Sequence, residues 1–124
     1  MKTAILILSD PKSGTDEALG RVFNALALAQ ESIAAGDRVE VTFVGAGTRW
    51  PGVLSQLSHP ANGLYNAVRE AVVGGSCGCA AVFGASESLQ ACGISEIKSH
   101  ALAGTPGIAS LRRYLAEGWQ TLVF

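Results

Sequence analysis

Charge is scarce in this chain of 124 residues: only 15% are Asp, Glu, Lys or Arg. Nine Lys and Arg face ten Asp and Glu, which leaves a net charge of −1. Binding to nucleic acid or to an anionic membrane surface needs a concentrated basic patch, so neither is expected of this chain. Long hydrophobic runs are also missing. The stretches 4–8 and 79–83 are five residues each, too short for a signal-peptide core and far too short to span a bilayer. The expected location is therefore the cytoplasm. Three cysteines, Cys77, Cys79 and Cys92, are an odd number and no basis for a disulfide framework. Aromatic residues make up 6%.

What is abundant is small and apolar: 48% of the residues are hydrophobic and 15 are Gly. Such a chain buries a core and is not disordered. Its length suits one domain, residues 1–124. So much apolar residue with so little charge also implies surface covered by a second subunit.

Short apolar runs alternate with helical segments. Residues 3–9 read as a strand buried on both faces, closed by Asp10-Pro11. Ser13, three residues before Asp16, carries a capping signal for a helix over 15–35, with Leu19, Val22, Phe23, Leu26 and Ile33 as its apolar stripe. A second strand is expected over 38–44. An irregular stretch over 45–59 leads to a helix from about Asn62, closed by Gly74-Gly75. Residues 77–84 read as a third strand, and Ser86 caps a short helix to Cys92-Gly93. A short strand over 99–103, a helix opened by Thr105-Pro106 and a closing strand over 119–124 complete the chain. Alternation of this kind predicts an α/β fold: a single-domain three-layer αβα sandwich around a mainly parallel five-stranded sheet.

Ligands of open parallel sheets bind beyond the carboxyl ends of the strands. That rule selects a crevice of Asp10, Ser13, Arg49, Trp50, Ala85 and Ser86. Asp10 reads either as a metal- or substrate-orienting carboxylate or as a turn former bonded to its own backbone. Arg49-Trp50, on an exposed loop, offers a cation and a stacking face, or else a Trp that roofs the sheet. Gly45-Ala46-Gly47 has Trp50 where a dinucleotide fingerprint needs its third Gly, and Gly14 opens no phosphate loop. No cofactor is expected. Cys77-Gly78-Cys79 lacks the CxxC spacing and the companions of a zinc site, so no metal is expected either. With the third strand at 77–84, Cys77 and Cys79 would lie at its start, on the order of 15 Å from the loop after Gly84. His59 and His100 stand alone, with no nucleophile and carboxylate arranged around them.

Several segments together resemble the DsrE/DsrF-like family of small sulfur-relay proteins, a group that includes YchN-like proteins. They are Ile5-Leu6-Ile7-Leu8-Ser9-Asp10-Pro11, the long helix after Thr15, and Gly36-Asp37-Arg38-Val39-Glu40-Val41-Thr42-Phe43. With them go Val82-Phe83-Gly84-Ala85-Ser86-Glu87-Ser88-Leu89-Gln90-Ala91-Cys92-Gly93-Ile94 and Leu115-Ala116-Glu117-Gly118-Trp119-Gln120-Thr121-Leu122-Val123-Phe124. The resemblance implies a homo- or hetero-oligomer, often a trimer or hexamer, and a sulfur-relay protein as partner. It further implies that transferring members carry a persulfide on a cysteine at the end of the third strand. Alignment of Ser88-Leu89 and Gly93-Ile94 with the family pattern puts that position at Ala85. The resulting expectation is a member that binds a small ligand or partner without cysteine chemistry. The alternative is a sulfur carrier that uses Cys79 or Cys92, and an unrelated flavodoxin-like protein is a third reading. Whether the chain is an enzyme stays open at this point.

Overall fold

A computed structural model describes residues 1–124, all of the chain. Five strands, β1 (Lys2–Ile7), β2 (Arg38–Phe43), β3 (Val72–Ser76), β4 (Glu96–Ile97) and β5 (Gln120–Val123), form one sheet in the order β4-β3-β2-β1-β5. Every pairing is parallel. Six helices connect them: α1 (Asp16–Ala34), α2 (Trp50–Leu54), α3 (Asn62–Val68), α4 (Cys77–Val82), α5 (Ser86–Ala91) and α6 (Arg112–Ala116). No helix is long and apolar enough to cross a membrane.

The three layers follow from alternation along β1, whose side chains point in turn to opposite faces. Ile5 and Ile7 join Val41 and Phe43 under α1, α2 and α3, in a core that includes Val22, Leu26, Trp50 and Tyr65. Ala4 and Leu6 point the other way, onto Tyr114 and Trp119 of the α6 side. Strands β1 to β4 step across the sheet in one direction, and the chain then returns to lay β5 on the far side of β1. Right-handed crossovers therefore put α1 to α5 on one face and α6 on the other.

Helix α1 keeps nearly its expected bounds, with two corrections. Its cap is Thr15, whose Oγ1 accepts from the Ala18 N–H at 3.1 Å, while Ser13 Oγ bonds to Thr15 Oγ1 instead. Its buried stripe is Ala18, Val22, Ala25, Leu26, Ala29 and Ser32, and Phe23 and Ile33 are 50% and 41% exposed. Small residues let α1 lie close to the sheet, and the larger side chains flank it.

The third crossover differs most from expectation. Gly74-Gly75, read as a helix terminator, belongs to β3, and residues 77–82, read as strand, are helix α4. The helix begun at Asn62 stops at Val68 and passes through a 3-10 turn, Arg69–Ala71. Close approach explains the glycines: Gly74 has φ 152°, and a Cβ there would lie 2.5 Å from the Ser95 carbonyl oxygen. The apolar run 79–83 is too short for its periodicity to separate strand from helix. Further on, β4 lies at Glu96–Ile97 rather than 99–103, where His100 instead forms an antiparallel bridge with Ile108. Pro106 lies outside any helix, and α6 begins only at Arg112, with Leu111 and Leu115 exposed.

Candidate functional site

The carboxyl ends of β1, β2 and β3 open onto one edge of the sheet, as the parallel arrangement requires. On the α1 face of that edge lies a cavity of about 560 Å³. Its walls come from the turn after β1, the start of α1, helix α2 with the turn that follows it, and the start of α5. Of the residues expected at the crevice, Arg49, Trp50 and Ala85 line it. Asp10 and Ser13 line an adjoining hollow instead. Ser86 lines neither, and it is the first residue of α5 rather than its cap, a position held by Ala85.

Asp10 takes the turn-forming role and adds an ion pair that the sequence did not show. It caps the 3-10 turn Pro11–Ser13 by accepting from the Lys12 backbone N–H at 2.9 Å, and both of its oxygens accept from Arg49 Nη1 at 3.1 Å. Burial alone would raise its pKa, but the Lys12 N–H and the Arg49 guanidinium outweigh it and hold the carboxyl below its ordinary value. Arg49 is anchored a second time, since its Nε donates to the Phe83 carbonyl at 3.0 Å. One side chain thus ties the β1 loop to the end of α4.

Trp50 is not on an exposed loop. It opens α2 and is 2% exposed, with its indole N–H donating to the Ser9 carbonyl at 2.7 Å. A buried Trp needs a partner for that donor, and the strand end supplies it. The sequence reading left His59 standing alone and missed Gln56 on the cavity wall. His59 meets Trp50 edge to face at 6.2 Å, and its Nδ1 accepts from the Ala61 N–H at 3.1 Å. Only the helical course of residues 50–54 brings these groups together, and no motif announces it.

The thiols also move. Because β3 ends at Ser76, Cys77 is the first residue beyond the carboxyl end of that strand, not the start of a strand at the opposite edge. The residues beside it are stitched to the segment after β4: Ala109 N–H donates to Ser76 Oγ at 3.0 Å, and Gly78 N–H donates to the Gly107 carbonyl at 2.8 Å. From β3 the chain leaves toward the α1 face, and from neighbouring β4 it leaves toward the α6 face. Cys77 therefore stands where two adjacent connections part, the kind of place at which open α/β sheets bind ligands. Cys77, Cys79 and Cys92 are all half-buried and free. Cys92 follows α5 and donates its S–H to the Leu89 carbonyl. No three His, Cys, Asp or Glu side chains converge as a metal site would need. Ala85 ends no strand and is buried at the start of α5.

No family model and no curated protein matches the sequence. The fold is similar to that of a solved structure, a conserved protein of unknown function from Bacteroides thetaiotaomicron, with a TM-score of 0.61 at 19% identity. The match covers 99% of this chain and 94% of the other. The likeness is one of fold.

Proposed function

We propose that this chain is a DsrE/DsrF-like sulfur carrier and that Cys77 is the thiol that carries the sulfur. The observation behind this reading is the end of β3 at Ser76, which makes Cys77 the first residue past that strand. The resemblance asks for a cysteine at the end of the third strand. The expectation of a member without cysteine chemistry rested on Ala85 holding that position, and Ala85 lies eight residues farther along, past α4.

In the proposed step the Cys77 thiolate attacks the outer sulfur of a donor persulfide. The donor's S–S bond breaks, the donor leaves as a thiolate, and Cys77 holds the sulfur as a persulfide. An acceptor thiolate then attacks that outer sulfur and releases Cys77. Each exchange makes one S–S bond and breaks one, so no external oxidant or reductant is consumed. The donor and acceptor would be sulfur-relay proteins that dock at the β3–β4 end of the sheet. A trimer or hexamer is part of the same proposal. Leu57, Met1, Val82, Leu115 and Val123 are the large apolar side chains left most exposed, and they are its motive.

Intact mass after incubation with a small persulfide tests the carrier assignment. A single sulfur adduct is expected on the wild type, on Cys79→Ser and on Cys92→Ser, and none on Cys77→Ser. An adduct that survives in Cys77→Ser, or no adduct on any form, overturns it. Light scattering at micromolar concentration tests the assembly, and a monomer mass refutes it.

A further inference from the structure

No cysteine lines the cavity on the α1 face, so sulfur transfer at Cys77 gives it no role. Its polar wall leaves three donors on Arg49, Lys12 and His59 without a partner, beside the carboxylate of Asp16 and the amide of Gln56, which offers both a donor and an acceptor. Arg49 uses Nε and Nη1 on Phe83 and Asp10, while Nη2 bonds to nothing in the protein. Lys12 contributes only its backbone N–H to a hydrogen bond, which leaves its ammonium free. His59 accepts at Nδ1, and that bond fixes the neutral ring as the tautomer with a proton on Nε2, a third free donor. Asp16 is the one carboxylate on this wall, and Leu19, Val53 and Pro11 supply apolar surface beside it.

We propose that this cavity binds a small organic carboxylate with an apolar body, its carboxylate taken by Arg49, Lys12 and His59 and its body lying against Leu19 and Val53. An acceptor-only group satisfies the free donors, and the guanidinium is already oriented by its bonds to Asp10 and Phe83, so little ordering remains to be done on binding. Charge selects the carboxylate over a phosphate. Asp10 pairs with Arg49, and Asp16 on the same wall balances the charge of Lys12, so the wall has donors to offer but no net positive charge for a dianion. The volume of about 560 Å³ lies within the range of small-molecule sites.

The test is a nitrogen-15 NMR titration of the full chain with hexanoate, benzoate and phenylacetate, each against its matched primary amide. The expected result is saturable shifts at the amides of Lys12, Gly52 and Gly84 with at least one carboxylate, and binding about tenfold weaker for its amide. Lys12→Gln alters an exposed side chain and should weaken the carboxylate several-fold while leaving the amide unchanged. Val53→Phe fills the cavity and should abolish both. Arg49→Lys, which keeps the charge and loses the fork, should weaken binding if it folds, and Lys12→Gln decides the matter if it does not. The proposal is overturned if no carboxylate gives saturable shifts, if amides bind as tightly, if inorganic phosphate binds more tightly, or if Val53→Phe binds normally. Cys77→Ser should bind as the wild type does, which separates this site from the sulfur chemistry.

Discussion

Replacement of Tyr114 by Phe removes one oxygen and should cost stability in a way that depends on pH. Tyr114 lies on α6, is 2% exposed and meets Trp119 edge to face at 5.4 Å. Its hydroxyl donates to Glu40 Oε2 at 2.8 Å and pairs with Thr42 Oγ1 at 2.8 Å, joining α6 to the buried face of β2. Burial, with the Glu40 carboxylate adding to it, pushes the phenol up to about 12 against the opposing pull of Thr42 and Arg113. A group whose folded pKa is raised contributes stability that is present below its unfolded value, near 10, and is lost as pH climbs to about 12. Two units correspond to about 3 kcal/mol. Independently, the loss of two hydrogen bonds, one to a carboxylate, costs about 2–3 kcal/mol at neutral pH. Urea unfolding followed by Trp fluorescence should thus find Tyr114→Phe about 2–3 kcal/mol less stable at pH 7. The two stability curves should converge as pH rises from 10 to 12. Tyr65, also raised chiefly by burial, titrates in both proteins and cancels from the difference. Parallel curves across that window, or a cost under about 0.5 kcal/mol at pH 7, would refute the reasoning.

Three further outcomes follow from single contacts. Gly47→Ala should fail to fold or lose more than about 3 kcal/mol in chemical unfolding, because the added Cβ overlaps the Ile7 carbonyl at the end of β1. Asp10→Asn should cost about 0.5–1 kcal/mol at pH 7, a small figure because the side chain is a third exposed and screened by solvent. Its carboxyl is held below the ordinary value of 3.8, so the stability it adds is present above that pH and lost as pH falls below it. Wild type and variant should therefore draw together in acid titrations. Thr15→Ala should lower the melting temperature by an amount equivalent to about 1 kcal/mol, and Ser13→Ala by clearly less, since Thr15 holds the Ala18 N–H.

The architecture was legible because its first half advertises itself. A strand buried on both faces over residues 3–7 and a helix of more than five turns after Thr15 leave little freedom for anything but a parallel α/β sheet. The second half hides its elements. Gly74 and Gly75 are where they are to let β3 approach Ser95 and Leu89, contacts that do not exist until the chain is folded, so locally they read as helix terminators. That slip displaced the third strand by several residues and carried Cys77 to the wrong end of the sheet. Asp10 and Arg49 were each singled out, but their pairing across 39 positions was invisible until β1 and β2 lay side by side. Trp50 looked exposed beside Pro51-Gly52, and only the Ser9 carbonyl opposite its indole N–H makes burial affordable.

The most direct test of the carrier assignment is to locate the sulfur itself. Wild-type protein exposed to a small persulfide would be alkylated, digested and mapped by fragmentation that resolves Cys77 from Cys79. The account predicts the extra sulfur on Cys77 alone, released on addition of excess acceptor thiol. Sulfur on Cys79 or Cys92 with Cys77 unmodified would contradict it.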